Sequence, residues 1–550
     1  MFNFSARRVR TLREYLTAYF MIAPALILIF TFGIFPVLFA VYVSMHRWKI
    51  KQGDFLGLTN YIRAIDSLAY LLFFAVALGF LYAGFRTARQ IWLNSRAYNE
   101  SPWALILPGI LHGVAWLLLL RWAALLLPEV LGIADKVRNI ERTQEIFLQF
   151  FGEALRAETV APAFNQFLWT ILAATVISVV LYQILPVRQR FIAYLSNFAS
   201  STFFLISAGV TIWFTITQIQ FAITTALETG EEVKIGVQIT LIAAGLLLFY
   251  LAWKVWNSAV HHESNRGFVL KLLAALFLLV GGWILLAELP MAIQAGDEDL
   301  WQGLVVTVYY AMGTIPFQLS FAIMLAYLLF QKVRAREFFR VVYFLPYVTP
   351  AVAGAAVFQL LFSNRSSSPA NLLLRVTGGE AARWLQESRG VFVLIGQSMG
   401  VEVPGWMGGP SLALVVIIIY SIWTYVGYDT VIYLAGMGNI PLELNEAAEI
   451  DGANRWQIFR YVTFPLLSPT TYFLSLIAVI GTFKAFNHIF VMRDPLALGT
   501  VDTFSVAIFD EFFNRTRFGY ASAMAFVLFA VILALTYVNN KVQGSRVFYE

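Results

Sequence analysis

Long, nearly uncharged apolar runs recur along almost the whole chain, each close to the length that crosses a bilayer. A helix spanning the hydrocarbon core needs about 20 mostly apolar residues, because each residue rises only ~1.5 Å and every backbone amide must find its partner inside the element. Such runs cover Leu16–Met45, Leu68–Phe85, Trp103–Leu127, Phe164–Leu185, Phe203–Ala226, Ile235–Trp253 and Phe268–Ala287. They continue at Leu304–Phe330, Val341–Phe362, Leu412–Leu434, Leu466–Phe486 and Tyr520–Val538. The pattern predicts an all-α polytopic membrane protein of about twelve transmembrane helices. Charge supports this: only 13% of the 550 residues are Asp, Glu, Lys or Arg, about half the share of a soluble domain. A soluble enzyme, a disordered chain and a secreted disulfide scaffold are excluded.

Basic residues set an orientation. The stretch from Arg7 to Arg13 precedes the first run, which is too long for a signal-peptide core and is followed by no A-x-A site, so an uncleaved first helix is expected. With the N-terminus in the cytoplasm, Arg86, Arg89 and Arg96, and later Lys332, Arg334, Arg336 and Arg340, fall at cytoplasmic span ends. The acidic groups Glu228, Glu231 and Glu232, and Asp297, Glu298 and Asp299, then fall outside. Both termini are thus expected in the cytoplasm, in an inner (plasma) membrane protein. The net charge is +6, but the basic residues are scattered between spans and form no stripe, so no nucleic acid is expected as a partner.

The chemistry missing from the chain is as informative. There is no Gly-Lys pair, hence no phosphate-cradling loop of the G-x-x-x-x-G-K type and no expected ATP hydrolysis. Cysteine is absent, which removes thiolate metal sites and thiol nucleophiles. The pair His261-His262 lies in a polar loop, short of the three or four convergent ligands that zinc takes. Ionisable groups in or near spans are few: Arg121, Glu288, Asp429 and Lys484. An ion-coupled carrier would place several there. The expectation is a pathway without its own energy source, with no catalytic residue, metal or cofactor.

One loop stands out. Between two late spans runs Ile440-Pro-Leu-Glu-Leu-Asn-Glu-Ala-Ala-Glu-Ile-Asp-Gly-Ala-Asn-Arg-Trp-Gln-Ile-Phe-Arg-Tyr-Val-Thr-Phe-Pro465. Pro441 suits a first helical position and Glu443 the anion-favouring first turn. Gly452 can end the helix with positive φ. A second short helix is expected from Ala453 until Pro465 reopens the chain into a span. Ala447, Ala448 and Gly452 permit close backbone approach, and Trp456, Phe459 and Val462 form an apolar stripe. Such a stripe is buried either by a protein partner or by the lipid interface.

Glu446-Ala447-Ala448 with Gly452 and then Val462-Thr463-Phe464-Pro465 resembles the EAA loop of binding-protein-dependent ABC importer permeases. Its flanks, Ile440–Glu443 and Glu449–Ala453, resemble the carbohydrate branch of that family, the maltose and glycerol 3-phosphate type. Further likenesses are Leu56–Tyr61 after the first span, Arg340–Val348 at a middle span and Phe518–Ala523 at the last. The resemblance implies that the loop is a coupling helix seated on a separate ATP-binding subunit. Glu446, Ala447, Ala448, Asp451, Gly452, Trp456 and Phe459 would then be the coupling residues. It also implies a dimer of that ATP-binding subunit, a second permease subunit and an extracellular solute-binding protein as partners, besides membrane lipid. After Met492 the family usually has Thr-x-Gly-Gly-Pro, whereas this chain has Arg493-Asp494-Pro495-Leu496, which puts the outer loop's contact with a binding protein in question.

The likeness divides the chain into residues 1–66, an inserted transmembrane region 67–298 with no recognised counterpart, and a permease core 299–550 with the coupling loop at 440–465. An even number of inserted spans is needed, since both flanking pieces begin outside, and the runs supply six. The insert carries no ionisable relay and reads as a peripheral lipid-facing bundle, with a role in gating or partner choice as the alternative. A carbohydrate path needs polar groups beside aromatics inside spans. Lys484, Phe486 and Asn487 form one such group, placed where the resemblance implies substrate contact, and Asp429 with Tyr425 and Tyr428 forms another. The competing reading is a polytopic membrane enzyme, such as a lipid or sugar transferase, in which the loop motif is accidental.

Overall fold

The computed structural model describes residues 6–49, 51–137, 143–184, 190–229, 235–260, 265–286, 295–331, 334–404 and 407–543. Of the residues discussed above, Glu231, Glu232, His261, His262, Glu288 and Lys332 lie outside the described residues. The chain divides into two compact units, one made of 1–64 and 293–550 and the other of 65–292.

Helices dominate both. Nine are long and apolar enough to cross a membrane among the described residues, and two further helix pairs qualify together but are sharply bent. The described residues thus supply nine to eleven candidate crossings against the twelve expected, and Leu270–Leu285 is a shorter apolar helix.

In the first unit the crossings are Thr17–Ser44, Glu298–Phe330, Leu412–Gly438 and Phe518–Lys541, with the two bent pairs between them. The expected single span Val341–Phe362 is instead two helices, Arg336–Val348 and Ala351–Leu361, meeting at 95°. Pro350 is the reason: it lacks an amide donor and drives Thr349 out of the helical region, to ψ 133°. The expected span Leu466–Phe486 is likewise corrected. Arg455–Leu466 runs through Pro465 and bends by 63° into Ser468–Phe483, so Pro465 does not open the span. Pro465 and Pro469 deny two amide donors to one stretch of helix, and the break falls between them at Leu467.

Two buried clusters hold this unit together. One packs Tyr310, Ile417, Tyr420, Ile489 and Met492. The other packs Ala322, Ala326, Tyr433, Met437, Leu467 and Leu474. Small residues set the spacing. A Cβ on Gly427 would lie 2.5 Å from the carbonyl carbon of Tyr343 and overlap its oxygen, so glycine lets Arg336–Val348 rest directly on Leu412–Gly438. Between Leu361 and Leu412 the chain folds around the buried Asn371. Its amide donates to the carbonyls of Arg365 (3.0 Å) and Ala382 (3.2 Å), and its carbonyl accepts from Ala382 N (2.9 Å) and Trp384 Nε1 (2.8 Å).

The second unit contains Leu68–Tyr98, Ile106–Lys136, Gln144–Leu155, Val160–Ile184, Phe191–Thr229, Ile235–Val260 and Asn265–Leu285. Lipid offers no hydrophobic drive for helix association, so small residues that let backbones approach carry the packing. A Cβ on Gly84 would meet Leu205 Cγ at 2.8 Å, and one on Gly113 would meet Ala199 O at 2.7 Å. Ser201 also donates to the Gly84 carbonyl at 3.0 Å. Gly245 and Gly282 face each other in the same manner. Near one end, Arg190 bonds Glu100 at 3.3 Å and lies over the Tyr98 ring.

Candidate functional site

The loop between Leu412–Gly438 and the bent helix pair has a defined architecture. Pro441 is the N-cap, one position ahead of the expected first turn, and the helix covers Leu442–Ile450. Gly452 takes φ +80°. Its amide donates to Glu449 O (3.0 Å) and the Ala453 amide to Ala448 O (3.0 Å), the paired bonds that close a helix through a left-handed glycine. The second helix starts at Arg455 rather than Ala453, because Asn454 caps it. Asn454 and Gln457 bond each other's backbone amides reciprocally at 2.9 and 2.7 Å. A π turn over Phe459–Thr463 follows.

The loop is firmly seated at its base. Phe459 packs against Tyr327 with ring centroids 4.6 Å apart, and the Tyr327 hydroxyl donates to the Arg455 carbonyl at 3.2 Å. Trp456 stacks on Phe459 at 5.6 Å. The turn thus also touches Glu298–Phe330, a contact not read from the sequence. The outward face is open. Glu446, Ala447, Asp451 and Gly452 are exposed, Ala448 is half-buried, and Ile450 and Trp456 are 86% and 63% exposed. The expected stripe therefore splits: Phe459 packs inward on Tyr327, while Trp456 stays exposed, as does Ile450 at the end of the first helix.

The second site is a cavity of about 110 Å³ among the core helices. Tyr347 stacks on Tyr428 at 4.5 Å and meets Tyr425 edge-on at 6.0 Å. Asp429, Gln318 and Thr482 add polar groups to the same lining. Tyr310 forms one wall, its hydroxyl held by Ser421 Oγ at 2.7 Å and by His488 Nε2 at 3.0 Å.

The structure brings Asp429 and Tyr425 together. It does not bring Lys484, Phe486 and Asn487 to them. The helix Ser468–Phe483 ends at Lys484, and Asn487 opens a separate short helix, Asn487–Met492, so it is not part of the expected span. Lys484 and Asn487 are exposed. Phe486 packs on Phe490 and Phe509 at 5.1 and 4.7 Å. Sequence reading missed Tyr347, Tyr310 and His488. Tyr347 lies within the quoted stretch Arg340–Val348, and only the bend at Pro350 and the contact at Gly427 turn it onto Tyr428.

Past this short helix an ion-pair network orders the divergent segment. Arg493 pairs with Asp502 (2.7 Å) and Asp510 (2.9 Å), while Arg515 and Arg517 pair with the buried Glu511. Burial pushes the Asp502 carboxyl up, opposed by Arg493.

Comparison with known proteins settles what this architecture serves. Residues 318–548 match the family described as "Binding-protein-dependent transport system inner membrane component". A probable ABC transporter permease of Bacillus subtilis (strain 168) is 32% identical over 260 residues, covering 46% of this chain and 76% of that protein. The chain belongs to this family of ABC transporter permeases. An arabinooligosaccharide transport system permease of Halalkalibacterium halodurans is 30% identical over 241 residues, covering 44% of this chain and 69% of that one. A lactose transport system permease of Rhizobium radiobacter is 28% identical over 249 residues, covering 44% and 76%. The chain is therefore an inner-membrane, multi-pass transport component. The family match excludes residues 65–292, and membership sets aside the membrane-enzyme reading.

Proposed function

We propose that this chain is the transmembrane permease subunit of an ABC importer for a carbohydrate or polyol, driven by a separate ATP-binding subunit. The observation that carries the reading is the Leu442–Arg455 turn, a twice-capped helix pair that leaves Ile450 and Trp456 exposed, in a chain whose relatives are permeases for arabinooligosaccharides and lactose. Glu446, Ala447, Ala448, Asp451, Gly452, Trp456 and Phe459 seat this turn on the ATP-binding subunit. Phe459 anchors it through Tyr327, so a push reaches three helices at once. The tyrosine-lined cavity holds the sugar as aromatic faces hold sugar rings, with Asp429, Gln318 and Thr482 for the hydroxyls. Lys484 and Asn487, exposed on the isolated chain, face a path completed by a second permease subunit. A solute-binding protein delivers substrate from outside, and both termini lie in the cytoplasm. Residues 67–298 are a lipid-facing bundle, and 1–66 with 299–550 form the permease core.

The test is purification of the chain with a co-expressed ATP-binding subunit, followed by a sugar panel in the presence of the solute-binding protein. One class of sugar or polyol is expected to stimulate ATP hydrolysis severalfold, and the chain alone is expected to hydrolyse none. ATP turnover by the chain alone, or a complex indifferent to every sugar, contradicts the reading.

A further inference from the structure

We propose that the tyrosine cavity is built for a sugar that carries a positive charge, an amino sugar with a free ammonium group held between Asp429 and the tyrosine rings. This rests on the carbohydrate reading above and narrows its substrate class.

Asp429 sits in the interior of the helix Leu412–Gly438 and is 4% exposed. Its Oδ2 is enclosed and has no hydrogen-bond partner among the described residues. Asp429 lines the cavity, and no Lys, Arg or His shares that lining. Two basic groups on neighbouring elements stand outside that lining. His488 lies behind Tyr310, committed to Tyr310 and Ser421, and Lys484 is exposed past the end of its helix. A buried carboxylate without a partner costs several kcal/mol. Without a compensating charge such a group takes up a proton instead, and a cationic ligand in the cavity supplies that charge.

The rest of the lining suits the same ligand. Tyr425 and Tyr428 lie within about one turn of Asp429 on the same helix, and Tyr347 of the neighbouring helix packs on both and lines the same cavity. Ring faces are negative, so a cation beside them is attracted by the quadrupole as well as by the carboxylate. An ammonium brings three N–H donors, enough to satisfy both carboxylate oxygens and one tyrosine hydroxyl. A neutral hexose can hydrogen-bond Asp429 but brings no charge to pair with its carboxylate form. N-acetylation removes the charge and adds bulk at the same atom.

The experiment measures binding to the full permease complex in lipid nanodiscs without the solute-binding protein, so that only the membrane cavity selects. The probes are glucosamine, N-acetylglucosamine and glucose, each as the monosaccharide and the corresponding disaccharide, at neutral pH. Glucosamine is expected to bind about tenfold or more tightly than the two neutral sugars. Asp429→Asn abolishes that preference and Asp429→Glu retains it. Tyr428→Leu weakens glucosamine more than glucose. Equal or tighter binding of the neutral sugars, unchanged in Asp429→Asn, overturns the proposal and leaves the carbohydrate reading standing. Absence of binding by every probe, together with no sugar stimulating ATP hydrolysis, overturns both.

Discussion

Gly427→Ala tests whether the aromatic wall depends on direct contact between two helices. The added Cβ would lie 2.5 Å from the Tyr343 carbonyl carbon and 3.1 Å from the Phe344 nitrogen. Both are backbone atoms, so no side chain can rotate away. To restore ordinary contact with the overlapped Tyr343 oxygen, the helix Arg336–Val348 must retreat by about 1.5–2 Å. Overpacking of this kind costs about 3 kcal/mol at the upper end, and the gain in helix propensity from glycine to alanine returns about 1. A net loss of about 2 kcal/mol follows, read as a drop of several degrees in the unfolding midpoint of the purified chain. The retreat also carries Tyr347 away from Tyr428, which is adjacent to Gly427, so sugar-stimulated ATP hydrolysis falls as well. Gly209→Ala is the control: it lies within a helix with open space where the Cβ would stand, and it is expected to be neutral. A Gly427→Ala chain as stable and as active as the parent would refute the reasoning.

At Gly452 a Cβ meets nothing within 4 Å, yet φ is +80°. Gly452→Val therefore costs about 1–2 kcal/mol in backbone strain alone. It should leave the chain in the membrane while lowering co-purification of the ATP-binding subunit, with Gly452→Asn partly restoring it, and Glu446→Lys should detach that subunit by reversing an exposed charge. Arg493→Ala strands Asp502 and Asp510, whose side chains are about one-fifth exposed, and should cost about 1–3 kcal/mol at neutral pH. Burial already raises the Asp502 carboxyl and loss of Arg493 raises it further, so the folded form holds its proton more tightly than the unfolded chain. The penalty should thus be small in acid and grow as pH rises through the carboxylate range, measured as the unfolding midpoint against pH.

The sequence made the helices legible because span length and the scarcity of charge leave no other solution in lipid. It also made the coupling turn legible, since Pro441, Gly452 and the EAA residues each fix a local conformation. The bends were harder to read. Hydropathy is blind to direction, so Val341–Phe362 reads as one run although Pro350 turns it through 95°. The same blindness hid the end of the helix at Lys484, which takes Asn487 out of the span, and the buried triad of Tyr310, Ser421 and His488, whose members are far apart in sequence. The tyrosine cavity was half visible. Tyr425 and Asp429 share one helix, but Tyr347 reaches them only through the close approach at Gly427. Asn371 gave no periodic signal at all, because it satisfies loop carbonyls rather than a face.

The most direct test of the central claim uses the absence of cysteine from the native sequence. Ala447→Cys, exposed on the coupling helix, gives a single thiol in an otherwise thiol-free permease. A membrane-impermeant maleimide should leave it unlabelled in intact cells and label it in inverted vesicles, and an assembled ATP-binding subunit should protect it. Labelling from the outside, or labelling from the inside that the ATP-binding subunit does not reduce, contradicts the assignment of this loop as the point where ATP hydrolysis drives the permease.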